Sequence, residues 1–171
     1  MMRPDLFMIE RDGPGRLHTM AHPRGGEWLS DEMAGLAVAE VDVLVSMLTD
    51  HEAAELGLVG EGAAAESAGI TFRRVPTPDR QVPDRDTTLA MASVLKDALH
   101  RGAGVAVHCR HGIGRCSTLA AAVLILEGLD PATACDRIAA TRGLPVPDTP
   151  AQRAFIEMLA MPGDAARSRM S

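Results

Sequence analysis

An α/β domain built on a mostly parallel central sheet is the fold this sequence predicts, and three observations carry that prediction. Two runs, "VDVLVSMLT" (41–49) and "GVAVHC" (104–109), are too uniformly apolar for a sheet with one wet face and fit buried parallel strands. Segments with helical character alternate with strand-like ones through most of the chain. Helix-start signals recur where this alternation needs them, as at Asp130-Pro131 and Thr149-Pro150, which put proline at the first helical position.

The elements follow in order. Residues 1–14 hold Pro4, Gly13 and Pro14 and predict a flexible lead-in. "GRLHTMA" (15–21) predicts the first strand, and "HPRGGEW" a loop. Ser30 is placed to cap a helix, with Asp31 and Glu32 in the first turn where the dipole favours them. After the strand at 41–49, "DHEAAELG" (50–57) predicts a short helix closed by Gly57. "ITFRRVP" (70–76) predicts a strand. "TPDRQVPDRDT" (77–87), with two prolines and several charges, predicts a loop. Helices are expected over 87–101, 115–128, 130–143 and 149–161, with the buried strand 104–109 between the first two. The tail from Pro162 is expected to fray. The whole reads as one domain, 15–161, in a chain of 171 residues.

Composition removes several functions. Hydrophobic residues are 46% of the chain and aromatics only 2%, so the core must be made of Ala, Val, Leu, Ile and the ten methionines. A net charge of −6 without a basic run argues against nucleic acid as a partner. An anionic substrate must therefore meet a local positive site. No apolar run reaches the length of a membrane span, and "MMRPDLFMIERDGPG" lacks a signal-peptide core, so a cytoplasmic protein is expected. Three cysteines in that setting do not predict a disulfide framework, and Cys135 reads as a small buried hydrophobe. His18, His22, His51 and His100 lack ligand spacing, so neither metal nor other cofactor is expected. Oligomeric state is left open.

The chemistry gathers in "VAVHCRHGIGRCST" (105–118). A strand ends on His108 and Cys109; Arg110, His111, Gly112, Ile113 and Gly114 then turn into a helix opening near Arg115. Ligands bind beyond the carboxyl ends of strands in such sheets. Unpaired N–H groups of the loop and helix start form an anion nest, which Gly112 and Gly114 have the backbone freedom to make. Arg115 adds a bidentate grip on two oxygens of a dianion. The same field favours the Cys109 thiolate, a nucleophile held against phosphorus.

His108-Cys109-x-x-Gly112-x-x-Arg115 resembles the H-C-x-x-G-x-x-R signature of the cysteine-dependent protein phosphatases. From about Gly15 to Met161 the chain is similar to their compact dual-specificity type, in particular the family related to the cyclin-dependent kinase inhibitor-associated phosphatase. The resemblance implies the protein tyrosine phosphatase-like fold, a mostly parallel sheet with helices on both faces. It also implies hydrolysis of phosphotyrosine monoesters, with phosphoserine and phosphothreonine as further substrates, through a cysteinyl-phosphate; the partner is a phosphorylated protein or a small phosphomonoester. It assigns Cys109 as nucleophile and the segment 110–115 as the phosphate-binding loop. Asp79 of "VPTPD" takes the place of the general acid, with Asp84 of "VPD" as the alternative; both also read as solvated turn residues. In "TPAQ", Thr149 and Gln152 match a T-x-x-Q pattern that sets a glutamine to orient the hydrolytic water, unless Thr149 merely caps the helix. His108 is implied to brace the loop and tune Cys109 rather than act as a base. The side chains of Arg110 and His111 either add positive potential at the rim or are simply solvated.

One position departs from the family pattern. Cys116 stands where Ser or Thr usually follows the arginine. A thiol donates weakly, so breakdown of the phosphoenzyme is expected to slow. Ser117 points about 100° away on the helix and does not substitute. The alternative function is thus a phosphate-recognising module with little turnover. Cys116 is also placed to resolve an oxidised Cys109 into a disulfide, unless it is a buried, inert thiol. A rhodanese-like sulfur carrier is disfavoured because that loop has one residue fewer between cysteine and arginine.

Overall fold

A computed structural model describes residues 3–163; the expected frayed tail lies, but for Pro162 and Gly163, outside the described residues. Its centre is a five-stranded sheet in the order β1-β2-β5-β3-β4. The strands are β1 (Phe7–Met8), β2 (Arg16–Met20), β3 (Val43–Ser46), β4 (Thr71–Arg74) and β5 (Gly104–His108). Strands β2, β5, β3 and β4 are mutually parallel, and β1 adds antiparallel to β2 through Phe7 opposite Thr19.

Helices cover both faces, as a parallel sheet requires. On one side α4 (Arg85–His100), α5 (Arg115–Leu126), α6 (Pro131–Arg142) and α7 (Pro150–Leu159) share a core with Leu17, Val45, Val105 and Val107. On the other, α1 (Leu29–Val38), α2 (Asp50–Glu55) and α3 (Glu61–Ser67) close over Met20, Leu44 and Ala106. The alternation along β5, with Val105 and Val107 to one core and Ala106 to the other, is the strand period working between two apolar layers.

Three expectations need correction, and one helix was not expected. Residues 1–14 are not simply a loose lead-in: Phe7–Met8 pair with β2, and Ile9 is buried in the core, so apolar side chains hold this segment down. Ser30 does not cap α1. A 3₁₀ turn at Gly26–Trp28 runs straight into the helix, with Leu29 N–H bonded to Gly26 O, so Ser30 falls inside the first turn. The segment 70–76 is a strand only over Thr71–Arg74, an exposed outer strand that Pro76 cannot extend. Between Gly57 and Ile70 lies α3, whose alanine-rich "EGAAAES" lacks the apolar periodicity that marks a helix in sequence. Among the described residues no helix is long and apolar enough to cross a membrane.

The core holds a costly titratable group. His18 on β2 is buried, and neither ring nitrogen has a partner among the described residues. Burial, aided by the Arg16 charge, lowers its pKa from 6.5 to about 4. Below pH 6.5 the unfolded chain takes up a proton that the folded chain refuses. Stability is therefore expected to fall as pH drops from 6.5 towards 4, by a contribution on the order of 3 kcal/mol at the acid end. In urea melts across that range, His18→Leu should flatten the decline. An equally steep decline in the variant would contradict this origin.

Candidate active site

Strand β5 is flanked by β2 and β3 and buried along its whole length, so its carboxyl end is held rigidly. Cys109 follows at once, and the chain curls through Arg110–Gly114 into α5. Gly112 has φ +72°, and a Cβ there would fall 2.7 Å from the backbone carbon of Met20, so only glycine fits. Cys109 is 3% exposed. Its sulfur accepts hydrogen bonds from the Cys116 thiol and, against the cost of burial, from the N–H groups of Cys116 and Gly112. With the Arg115 charge, these hold its pKa well below the usual thiol value. Cys116 is driven the other way, first by complete burial and then by the Cys109 contact, and stays a thiol. Sequence reasoning expected that contact, and the two sulfurs meet. Ser117 is committed elsewhere, its hydroxyl donating to Ile113 O at 2.5 Å.

Arg115 is buried to 1% exposure. Its Nη1 donates to Glu52 Oε2 and to Thr77 O, both at 2.7 Å, and its Nη2 donates to Glu52 Oε1 at 2.9 Å. Burial opposes the Glu52 charge, but hydrogen bonds from Arg115 and Thr49 prevail and lower its pKa to about 2. Burial likewise works against the Arg115 charge, which Glu52 and the Cys109 and Asp79 charges restore and strengthen. Glu52 escaped the sequence reading. In the structure Thr49 and Glu52 form the capping box of α2, and the same carboxylate reaches an arginine 63 residues away.

The loop after β4 brings Asp79 to the site, its Oδ1 lying 3.2 Å from Arg115 Nη2. Asp84 is turned aside: it caps α4, accepting from the N–H and hydroxyl of Thr87, and the Thr87 N–H is the main reason its pKa is lowered. Arg80 pairs with Asp148 at 3.2 Å, and Gln152 Nε2 donates to Gln81 O at 3.3 Å, so two further ties hold this loop beside the cradle. Gln152 is fully buried. Its Oε1 accepts from the N–H groups of Asp148 and Thr149 while Thr149 caps α7. Its amide also rests on the cradle, since a Cβ on Gly114 would lie 2.7 Å from Oε1. Any water it orients must use the second N–H of Nε2.

Behind the cradle, His108 is fully buried, with Nε2 2.5 Å from Glu61 Oε1 and Nδ1 3.3 Å from Cys109 O. Arg110 turns to α2, pairing with Glu55 at 2.9 Å and lying 3.5 Å from Glu52, while His111 is exposed at the rim. Arg142, from the last turn of α6, donates to His111 O and Gly112 O, both at 3.2 Å, and lies 4.3 Å over the Phe7 ring. Trans peptides point C=O and N–H opposite ways, so holding these two carbonyls outward turns the Gly112 and Ile113 N–H groups inward. Neither Glu61 nor Arg142 gave any signal in sequence. No group of three His, Cys, Asp or Glu side chains among the described residues could hold a metal ion.

The family described as "Polymorphic toxin system, DSP-PTPase phosphatase" matches residues 18–129. Among solved structures, the chain is similar to kinase-associated phosphatase with its catalytic-site cysteine replaced by serine, at TM-score 0.84 and 17% identity, covering 92% of this chain and 94% of that one. It is also similar to PTPMT1 in complex with PI(5)P, at TM-score 0.71 and 21% identity, covering 94% and 96%. TpbA of P. aeruginosa matches at TM-score 0.62 and 21% identity, covering 99% and 94%. At these identities the structural likeness establishes the fold.

Proposed function

From this chain's membership of the polymorphic-toxin-system DSP-PTPase phosphatase family, we propose how its own residues carry out the reaction. The chain is a cysteine-dependent phosphatase of the protein-tyrosine/dual-specificity type. The observation that best supports the assignment of roles is an acidified Cys109 sulfur beside a buried, doubly anchored Arg115.

The ester dianion takes the place of Asp79 at Arg115 Nη2 and engages Nε–H as well, since the Glu52 and Thr77 contacts occupy the other donors. The Cys109 thiolate attacks phosphorus; an S–P bond forms as the bond to the leaving oxygen breaks, and Asp79 gives that oxygen its proton. Water then attacks the cysteinyl-phosphate, Asp79 takes the proton, and the thiolate departs towards the Cys116 S–H. Phosphotyrosine is the leading substrate, with phosphoserine and phosphothreonine beside it. A cytoplasmic setting suits a nucleophilic thiol that must stay reduced.

Rapid-mixing and steady-state assays with p-nitrophenyl phosphate test this reading. A burst followed by sustained turnover is expected, because the weak Cys116 donor slows the second step. A burst with no further turnover would make the chain a phosphate-recognising module instead. Neither burst nor protection of Cys109 by vanadate would defeat both.

A further inference from the structure

We propose that Glu61 is a positioning residue for the nucleophile, holding His108 so that its Nδ1 proton grips the carbonyl of Cys109. The inference rests on the reading of Cys109 as nucleophile. It starts from the partners of the ring. Cys109 O is a carbonyl and can only accept, so Nδ1 must carry a hydrogen. Nε2 faces Glu61 Oε1, and two bare lone pairs at 2.5 Å would repel, so one further proton lies between them. Whichever of the two atoms owns that proton, Nδ1–H is preserved.

The placement is costly to leave half made. His108 is 0% and Glu61 3% exposed in their side chains, so each is the other's means of satisfaction inside the protein. Glu61 sits at the first position of α3, whose packing against α1 and β4 fixes where the carboxylate stands. With its carbonyl oxygen held by the ring, Cys109 has its backbone orientation fixed. The Arg110 N–H then points away from His108, and the negative end of the peptide dipole beside the sulfur is neutralised. Strand β5 ends at this ring, so the link runs from α3 through His108 to the sulfur.

The groups facing this pair are few. On β2 and β3 the register neighbours of His108 are Met20 and Ser46, neither charged. His18, two residues before Met20 on β2, is neutral at ordinary pH, with its pKa at about 4. Asp50 and Arg74 border the same small cleft as Glu61 but pair with each other at 2.7 Å. Arg115 acts on the Cys109 sulfur directly.

Two measurements on the intact protein decide the matter. Nitrogen-15 NMR of ring-labelled histidine should show His108 Nδ1 bearing hydrogen at about pH 8, where a histidine ring holds a single proton. A bare Nδ1 would overturn the proposal. The pH dependence of Cys109 alkylation by iodoacetamide is the second readout. Glu61→Ala should raise its midpoint by about one pH unit, a roughly tenfold loss of thiolate below it. Its kcat for p-nitrophenyl phosphate should fall while KM stays within about twofold, as for an interaction that does not bind substrate. Glu61→Gln can donate its amide to Nε2, keep the Nδ1 hydrogen and restore most of the shift.

An unchanged midpoint in folded Glu61→Ala would sink the idea, and so would a Gln variant shifted as far as the Ala variant. Should Glu61→Ala not fold, Glu61→Gln decides alone: Nδ1–H retained and the midpoint near the parent's supports the proposal, and a bare Nδ1 refutes it. A parent protein that fails to turn over would defeat the phosphatase reading separately, because the ring and thiol readouts need no turnover.

Discussion

Replacing Cys109 by serine is expected to abolish turnover while leaving the cradle able to hold an oxyanion. Oxygen is smaller than sulfur, so the change fits, and the N–H groups of Gly112 and Cys116 and the Arg115 guanidinium remain. A hydroxyl does not ionise in this field, and without an anion there is no attack on phosphorus. Turnover of p-nitrophenyl phosphate should drop by roughly 10⁴-fold or more, while tungstate affinity by calorimetry changes little. Residual activity of a few per cent would mean that another group attacks. The variant should also lose a pH dependence of stability. The Cys109 thiol has a lowered pKa in the folded state. Its contribution is therefore fully present above the unfolded thiol's pKa of about 8.5 and is lost as pH falls through the folded value. Melts of the serine variant should lack that slope.

The second large effect is expected at Asp79. Asn keeps the size and a polar contact to Arg115 but has no proton to give. With aryl phosphates the rate should fall by about 10²–10⁴, and by more with alkyl phosphates, whose leaving oxygen needs the proton most. General acid catalysis makes a rate fall on the alkaline side, and the Asn variant should lack that fall if Asp79 is the donor. The parent's optimum is then on the acid side, since the nucleophile must be ionised while the acid is not. An unchanged profile in Asp79→Asn would reassign the acid. Asp84 is poorly placed to take over, because both Thr87 donors hold its carboxylate at the start of α4.

Sequence showed what is local. The alternation of strand and helix, the helix starts at Asp130 and Thr149, and the cysteine–glycine–arginine loop all depend on neighbours within a few residues. The meeting of Cys109 with Cys116 was expected from the family resemblance, in which the residue after the arginine faces the nucleophile. The supports of the site were hidden for the opposite reason. Glu52 meets Arg115 across 63 residues, Glu61 meets His108 across 47, and Arg142 reaches back 30 to Gly112. Each looks like an ordinary solvated helix charge until the sheet assembles. Helix α3 was missed because its small residues bury only Glu61 and Ala65, leaving no apolar stripe to read. Strand β1 was missed because two residues between prolines and glycines carry no period at all.

The ring of Phe7 under the Arg142 guanidinium ties the amino-terminal strand to the outer carbonyls of the loop that binds phosphate. A protein shortened to begin at Gly15, where the strand-and-helix pattern starts, would keep every residue of the chemistry and still lose that brace. The catalytic unit thus begins upstream of its recognisable motif pattern, at the short strand that carries Phe7.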